Sequence, residues 1–224
     1  MKTNERNDST AIVLLGGGVV DAATVGELPA GAEIIAADSG VEQAAALGLG
    51  VDVVVGDMDS VDTRVLATLV SRGAHIERHP ADKNETDAEL ALQLAARRGA
   101  CRIIVVGNGA GRLDHQLALF AVLFIDDLRT VRVEARLGEA RAIPVRTGET
   151  VEVSCAPGSV VGLIPFGGDA HGVTTHGLQW ALRDGTLAAA ASRGVSNRAT
   201  DSTFGVSVTR GRLIVTVDQA EPTK

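Results

Sequence analysis

Apolar residues in the first half of this chain fall in short β-branched runs, each followed by a polar loop and then a helix-like stretch. Runs at 11–15, 33–37, 52–55, 74–77, 102–106 and 130–134 read as strands. Blocks of this length with no polar alternation fit a sheet buried on both faces. Between them, 41–47, 62–71, 87–98 and 116–127 carry helical patterns. In 62–71, Val65, Leu66, Leu69 and Val70 share a face, and Gly73 ends the helix. Thr86 is placed to cap 87–98, with Glu89 at the capping-box position and Gly99 as the stop. Strand, loop and helix in this repeating order predict an α/β domain, a mostly parallel sheet with flanking helices.

After about residue 136 the pattern changes. Short β-rich runs at 140–145, 150–153, 160–165, 205–208 and 213–217 are punctuated by Gly and Thr. They predict a smaller, antiparallel all-β sandwich domain. The expected organisation is a disordered tail over 1–10, an α/β domain over 11–137 and a β domain over 138–220.

The polar positions carry the chemistry. In Val53-Val54-Val55-Gly56-Asp57-Met58-Asp59-Ser60, a buried-strand pattern breaks at glycine, and two carboxylates follow at i and i+2. Taken alone, Asp57 reads equally well as a helix cap, and so does Asp38 after the run at 33–37. Gly16-Gly17-Gly18 could let a phosphate approach the backbone. It matches neither G-x-G-x-x-G nor a Walker loop, and a flexible turn explains it as well. The number of acids changes the picture. Asp38, the Asp57/Asp59 pair, the segment 82–87 and Arg112/Asp114 all follow predicted parallel strands. Such loops gather along one edge of the sheet. Carboxylates in this number repel unless a cation lies among them. Carboxylate and water ligands suit Mg²⁺, which is commonly shared with substrate phosphates. Lys83 and Arg112 then suit phosphate oxygens, Arg through a bidentate fork. The residues by themselves predict Mg²⁺-dependent phosphoryl chemistry on an α/β domain.

Composition narrows the partners. The 224 residues suit one large or two small domains, and 45% of them are hydrophobic. Only 2% are aromatic, with one Trp and no Tyr, so aliphatic residues must build the core. A net charge of −7 without a basic cluster argues against nucleic-acid binding. Cys101 and Cys155 flank strand-like runs and are expected as buried thiols, which fits a reducing, cytoplasmic setting. The N-terminus lacks the apolar core of a signal peptide, and the longest apolar run, 117–125, is too short to span a membrane.

At this point ordered motifs resemble those of the thiamine pyrophosphokinase family. Gly56-Asp57-Met58-Asp59-Ser60 resembles its G-D-F-D-S, and residues 82–89 resemble D-K-D-x-T-D-x-E. Gly111-Arg112-Leu113-Asp114-His115 is similar to G-R-x-D-H. Leu163-Ile164-Pro165, residues 173–180 and Ser196-Asn197 are similar to S-L-I-P, V-T-T-x-G-L-K-W/Y and a late S-N. The resemblance implies ATP-dependent pyrophosphoryl transfer to the hydroxyl of thiamine. It also implies a β-sandwich after the α/β domain, and a homodimer with thiamine bound near the subunit interface. By motif, it implies a metal group of Asp38, Asp57, Asp59 and Asp87 for Mg²⁺, and catalytic roles for Asp59, Asp87 and Asp114. Lys83 and Arg112 would meet the ATP phosphates, and Trp180, Ser196 and Asn197 the thiamine. An aromatic face suits the cationic thiazolium ring. Without the motif, Trp180 reads as a core filler, Ser196-Asn197 as a turn, and His171 and His176 as surface residues near a turn. His115 reads equally as a phosphate contact or a helix-start residue. Asn84, Met58 and Ala110 depart from the motifs without removing a core carboxylate. The alternative is a non-catalytic relative that binds nucleotide or thiamine in a regulatory role.

Overall fold

The computed structural model describes residues 9–218. It divides between Gly138 and Glu139 into two compact units. The first contains β1 (Thr10–Leu14), α1 (Ala22–Val25), β2 (Glu33–Ala37), α2 (Gly40–Ala46), β3 (Val53–Gly56) and α3 (Thr63–Ser71). It continues with β4 (His75–Arg78), α4 (Asp87–Arg97), β5 (Arg102–Gly107), α5 (Leu113–Val122) and β6 (Arg132–Leu137). These strands lie in the order β4-β3-β2-β1-β5-β6, every pair parallel. The chain therefore reverses its direction of winding between β1 and β5, where an open sheet leaves a crevice at its carboxyl edge. α4 packs across β1, β2 and β3 through Leu90, Ala91 and Leu94.

The second unit contains β7 (Ala140–Val145), β8 (Thr150–Ser154), β9 (Val160–Pro165) and β10 (Ala170–His176). β11 (Gly185–Leu187), β12 (Asn197–Arg198), β13 (Thr203–Ser207) and β14 (Leu213–Asp218) complete it. Two antiparallel layers, β12-β9-β14-β7 and β11-β10-β13-β8, enclose a core around Phe204, Leu163, Val173 and Leu213. With so few aromatics, β-branched and leucine side chains from both sheets fill this space, as expected of a sandwich.

Some expectations need correction. Thr10 opens β1, and Ser9 O accepts the N–H groups of Cys101 and Arg102, so Thr10 is strand and Ser9 is tied to the rest of the unit rather than tail. Residues 1–8 lie outside the described residues. α5 begins at Leu113, three residues before the expected start, and ends at Val122, with a 3-10 turn over Asp126–Leu128. Its sequence is apolar nearly all round, so the pattern holds no phase from which to read its ends. β10 was not anticipated and contains both His171 and His176. Gly172, at φ 65°, breaks its alternation where the pairing with β11 shifts register. Cys101 and Cys155 are half-buried and unbridged. Among the described residues no helix is long and apolar enough to cross a membrane.

Candidate active site

The carboxyl ends of β2 and β3 lie side by side, and each delivers an acid. Asp38 N–H donates to Val55 O at 2.8 Å, continuing the ladder one step, and the residue then turns at φ 45° into α2. After β3, Asp57 Oδ1 accepts the N–H of Asp59 at 3.1 Å, a turn closed by the aspartate side chain. Met58 between them adopts φ 65° and is buried among Ala36, Val41, Val54, Val61 and Leu66. The methionine pins the loop to the core, while its acidic neighbours stay less buried.

A further acid comes from α4. Thr86 Oγ1 accepts Glu89 N–H at 3.2 Å, which starts the helix at Asp87. The Asp87 carboxylate thus sits at the positive end of a helix. Carboxylate oxygens of Asp38, Asp57 and Asp59 lie within 4.8 Å of one another. Asp87 reaches the group across Gly56, where a Cβ would come 3.0 Å from Asp87 Oδ1 and 3.2 Å from the Cβ of Asp38. Lys83 Nζ lies 3.0 Å from Asp87 Oδ1 and 3.9 Å from Asp57 Oδ2. One ammonium thus faces two carboxylates.

The donor set fits a hard divalent cation. Asp38 Oδ1 is buried and accepts no hydrogen bond, and Asp87 Oδ1, also buried, meets only the Lys83 ammonium. A buried carboxylate oxygen such as Asp38 Oδ1, without a donor and close to other carboxylates, suits a hard cation such as Mg²⁺. Asp38 is only 9% exposed. Burial raises its pKa above 3.8, Asp87 and Asp57 add to the rise, and the Ser39 main chain and Ser60 hydroxyl oppose it. A carboxyl that holds its proton more tightly when folded stabilises the fold at low pH. That contribution is lost as pH rises from 3.8 through the raised value. Asp38→Asn is therefore expected to raise the melting temperature of the ligand-free protein at neutral pH, by about 2–4 °C for each ~1 kcal/mol relieved. It should also flatten the decline in stability above about pH 4. Calorimetry from acid to neutral pH in a chelating buffer checks both; a lower melting temperature contradicts this account.

Arg112 and Asp114 lie elsewhere in the constellation. Arg112 occupies the cap position of α5, and its Nε and Nη2 donate to Asp114 Oδ1 and Oδ2 at 3.1 and 2.6 Å. This hydrogen-bonded pairing holds the Asp114 carboxyl below its usual range. Both side chains are exposed and, among the described residues, pair with each other rather than with the acid group. His115 N–H donates to Asp114 Oδ1 within the first turn.

Two glycine loops flank the reversal point between β1 and β5. Asn108 Nδ2 donates to Gly17 O, linking them, and Gln43 Oε1 accepts Val20 N–H at 3.1 Å. Neither Asn108 nor Gln43 was anticipated. The signal for Gln43 was an amide on the otherwise aliphatic inner face of α2, beside Val41 and Ala44.

In the second unit, Trp180 follows β10 and is 57% exposed, so it is not a core filler. Ser196 is exposed and adopts φ 61°. Asn197, next to it, is 4% exposed and bonds the Trp180 main chain.

Fold and site define a two-unit α/β and β-sandwich protein whose acidic strand ends suit a cation. Residues 30–133 match the model described as thiamin pyrophosphokinase, catalytic domain, and residues 148–213 the model described as thiamin pyrophosphokinase, vitamin B1 binding domain. The chain belongs to the thiamin pyrophosphokinase family. It is 26% identical over 163 residues to thiamine pyrophosphokinase 1 of Oryza sativa subsp. japonica, covering 70% of this chain and 62% of the rice protein. Over 160 residues it is 23% identical to the Bacillus subtilis thiamine pyrophosphokinase, covering 71% of this chain and 75% of that one. The chain spans about three fifths of the length of the rice relative. In fold it is similar to the crystal structure of thiamine pyrophosphokinase from Bacillus subtilis, with TM-score 0.83, 20% identity, and coverage of 95% of this chain and 100% of that one. Thiamin pyrophosphokinase from Candida albicans is also similar, with TM-score 0.80, 16% identity, and coverage of 96% and 90%.

Proposed function

We propose that this chain transfers the pyrophosphoryl group of ATP to the hydroxyl of thiamine, giving thiamine diphosphate and AMP. The observation that carries this reading is the gathering of Asp38, Asp57 and Asp59, with Asp87 across Gly56 and Lys83 against Asp57 and Asp87, in a chain of this family. The four carboxylates would hold Mg²⁺, which when bound offsets charge developing on the transferred phosphates. Lys83 turns from the acids to phosphate oxygens, and Arg112 presents to them the guanidinium N–H groups that Asp114 leaves free. Asp114 orients the guanidinium by pairing with Nε and Nη2. The thiamine hydroxyl oxygen bonds to the β-phosphorus, the bond from that phosphorus to its oxygen bridge with the α-phosphate breaks, and AMP leaves with the bridging oxygen. The hydroxyl proton passes to Asp59, the acid of the group most open to solvent.

Trp180 supplies the face for the thiazolium cation in the second unit, with Ser196 and Asn197 beside it. Exposed apolar side chains at Leu113, Leu117 and Val195 are available for cover by a second copy in a homodimer. Two unbridged thiols suit a cytoplasmic setting.

Pure protein incubated with thiamine, ATP and Mg²⁺ is expected to yield thiamine diphosphate and AMP in equal amounts. A chelator should stop the reaction and added Mg²⁺ restore it. ADP as the nucleotide product would mean transfer of the γ-phosphoryl group and overturn the proposal. Thiamine binding without turnover would replace it with a non-catalytic, regulatory role.

A further inference from the structure

The segment that carries Trp180 is paired with the segment 197–200. Thr200 N–H donates to Gly177 O, Leu178 bridges Ala199, and Gln179 N–H donates to Arg198 O at 2.9 Å. At the next step the main-chain pairing stops and a side chain takes over. Trp180 N–H donates to Asn197 Oδ1 at 3.1 Å, and Asn197 Nδ2 donates to Trp180 O at 2.9 Å. The amide of Asn197 thus stands in for a peptide group and extends the ladder by one residue. Arg198 N–H, at 2.9 Å, takes the other lone pair of Asn197 Oδ1. Both acceptor sites of this oxygen are therefore spent inside the protein.

On the far side of the indole the chain is held the same way. Thr175 Oγ1 accepts Leu182 N–H at 2.8 Å, and Thr174 Oγ1 accepts Asp184 N–H at 3.1 Å. The Trp180 side chain is mostly exposed and has little packing of its own to fix it. Its direction is set by the main chain, and that main chain by Asn197.

We infer that Asn197 is a positioning residue: it holds Trp180 through the backbone and acts on thiamine only through the indole. The inference rests on the reading of Trp180 as the thiamine platform. It assigns to Asn197 an indirect role in place of the direct contact that the motif suggests. Holding the ring in its binding direction before the ligand arrives removes an ordering cost from binding. Losing the amide leaves three main-chain groups without partners and the ring free to reorient.

Trp180 is the only Trp and there is no Tyr, so indole emission reports this residue alone. Titration of thiamine into the parent protein tests the platform reading: quenching supports it, and no response overturns that reading specifically. The clamp is tested without ligand. Indole anisotropy is expected to fall in Asn197→Ala and to change less in Asn197→Asp, which keeps the acceptor. Unchanged anisotropy in Asn197→Ala overturns the clamp whatever the titration shows. With turnover as the readout, Asn197→Ala and Trp180→Ala should each raise the KM for thiamine by roughly five- to thirtyfold, within the span of a cation–π contact. The KM for ATP should stay in place. The double variant should lose little beyond Trp180→Ala alone, because Asn197 has no other route to the ligand. Additive losses would mean a direct contact with thiamine and overturn the inference.

Discussion

Asp57→Asn is expected to cut the rate of thiamine diphosphate formation by about 10²–10³-fold, the loss that follows removal of one preorganised charge contact. The effect is electrostatic. Asp57 contributes an oxygen to the group of three that lie within 4.8 Å, and its other neighbours are Lys83 at 3.9 Å and the N–H of Asp59. An amide of the same shape keeps its carbonyl oxygen for the Asp59 turn, so the loop survives. What it removes is the negative charge that a divalent cation needs. The rate should recover little at higher Mg²⁺, and circular dichroism should be unchanged. Rates close to those of the parent protein would show that these acids do not hold the metal.

Gly56→Ala is the second large effect, and it reaches the site by sterics rather than charge. Gly56 sits at φ 147°, where L-residues are strained, and the added methyl would press on Asp87 Oδ1 at 3.0 Å and on the Asp38 Cβ at 3.2 Å. Backbone strain of this kind costs about 1–3 kcal/mol. In a chain of this size that lowers the melting temperature by roughly 2–4 °C per kcal/mol. The two carboxylates it displaces come from β2 and α4, so the acid spacing opens and turnover falls about as far as in Asp57→Asn. Thermal melting and turnover should therefore fail together here. Asp38→Asn, by contrast, should separate them, with a more stable fold and a silent site. A Gly56→Ala protein with full activity would contradict the crowding argument.

What could be read in advance depended on whether the cause was local. The cap on α4 is local chemistry: Thr86, three residues before Glu89, was visible in the chain and forms as expected. The strand at 33–37 was equally plain, since only a buried sheet accounts for such a run. The acid group followed from one topological rule, that parallel strand ends share an edge. Its internal arrangement did not. Lys83 lies four residues before Asp87, so that ion pair is local, whereas its approach to Asp57 depends on how the 79–86 loop folds back. Arg112 and Asp114, two residues apart, form a local fork that could have been drawn from the motif itself. Asn197 was unreadable as a clamp, because its partner is 17 residues away and joined by a side chain standing in for backbone. Trp180 was ambiguous for a different reason: the same residue type serves cores and platforms, and exposure separates them.

Met58 has a consequence for how this protein can vary. Its side chain rests on Val54 of β3, Val41 of α2 and Leu66 of α3, and its neighbours on both sides are the site's carboxylates. The spacing of the acids is thus a gauge of the volume beneath them. A core residue that gains or loses a methyl raises or lowers the pin, and the carboxylates travel with it. Substitutions under this loop are therefore expected to disturb turnover before they endanger the fold. The aliphatic packing between α2, α3 and β3 belongs functionally to the site, although none of it reaches a ligand.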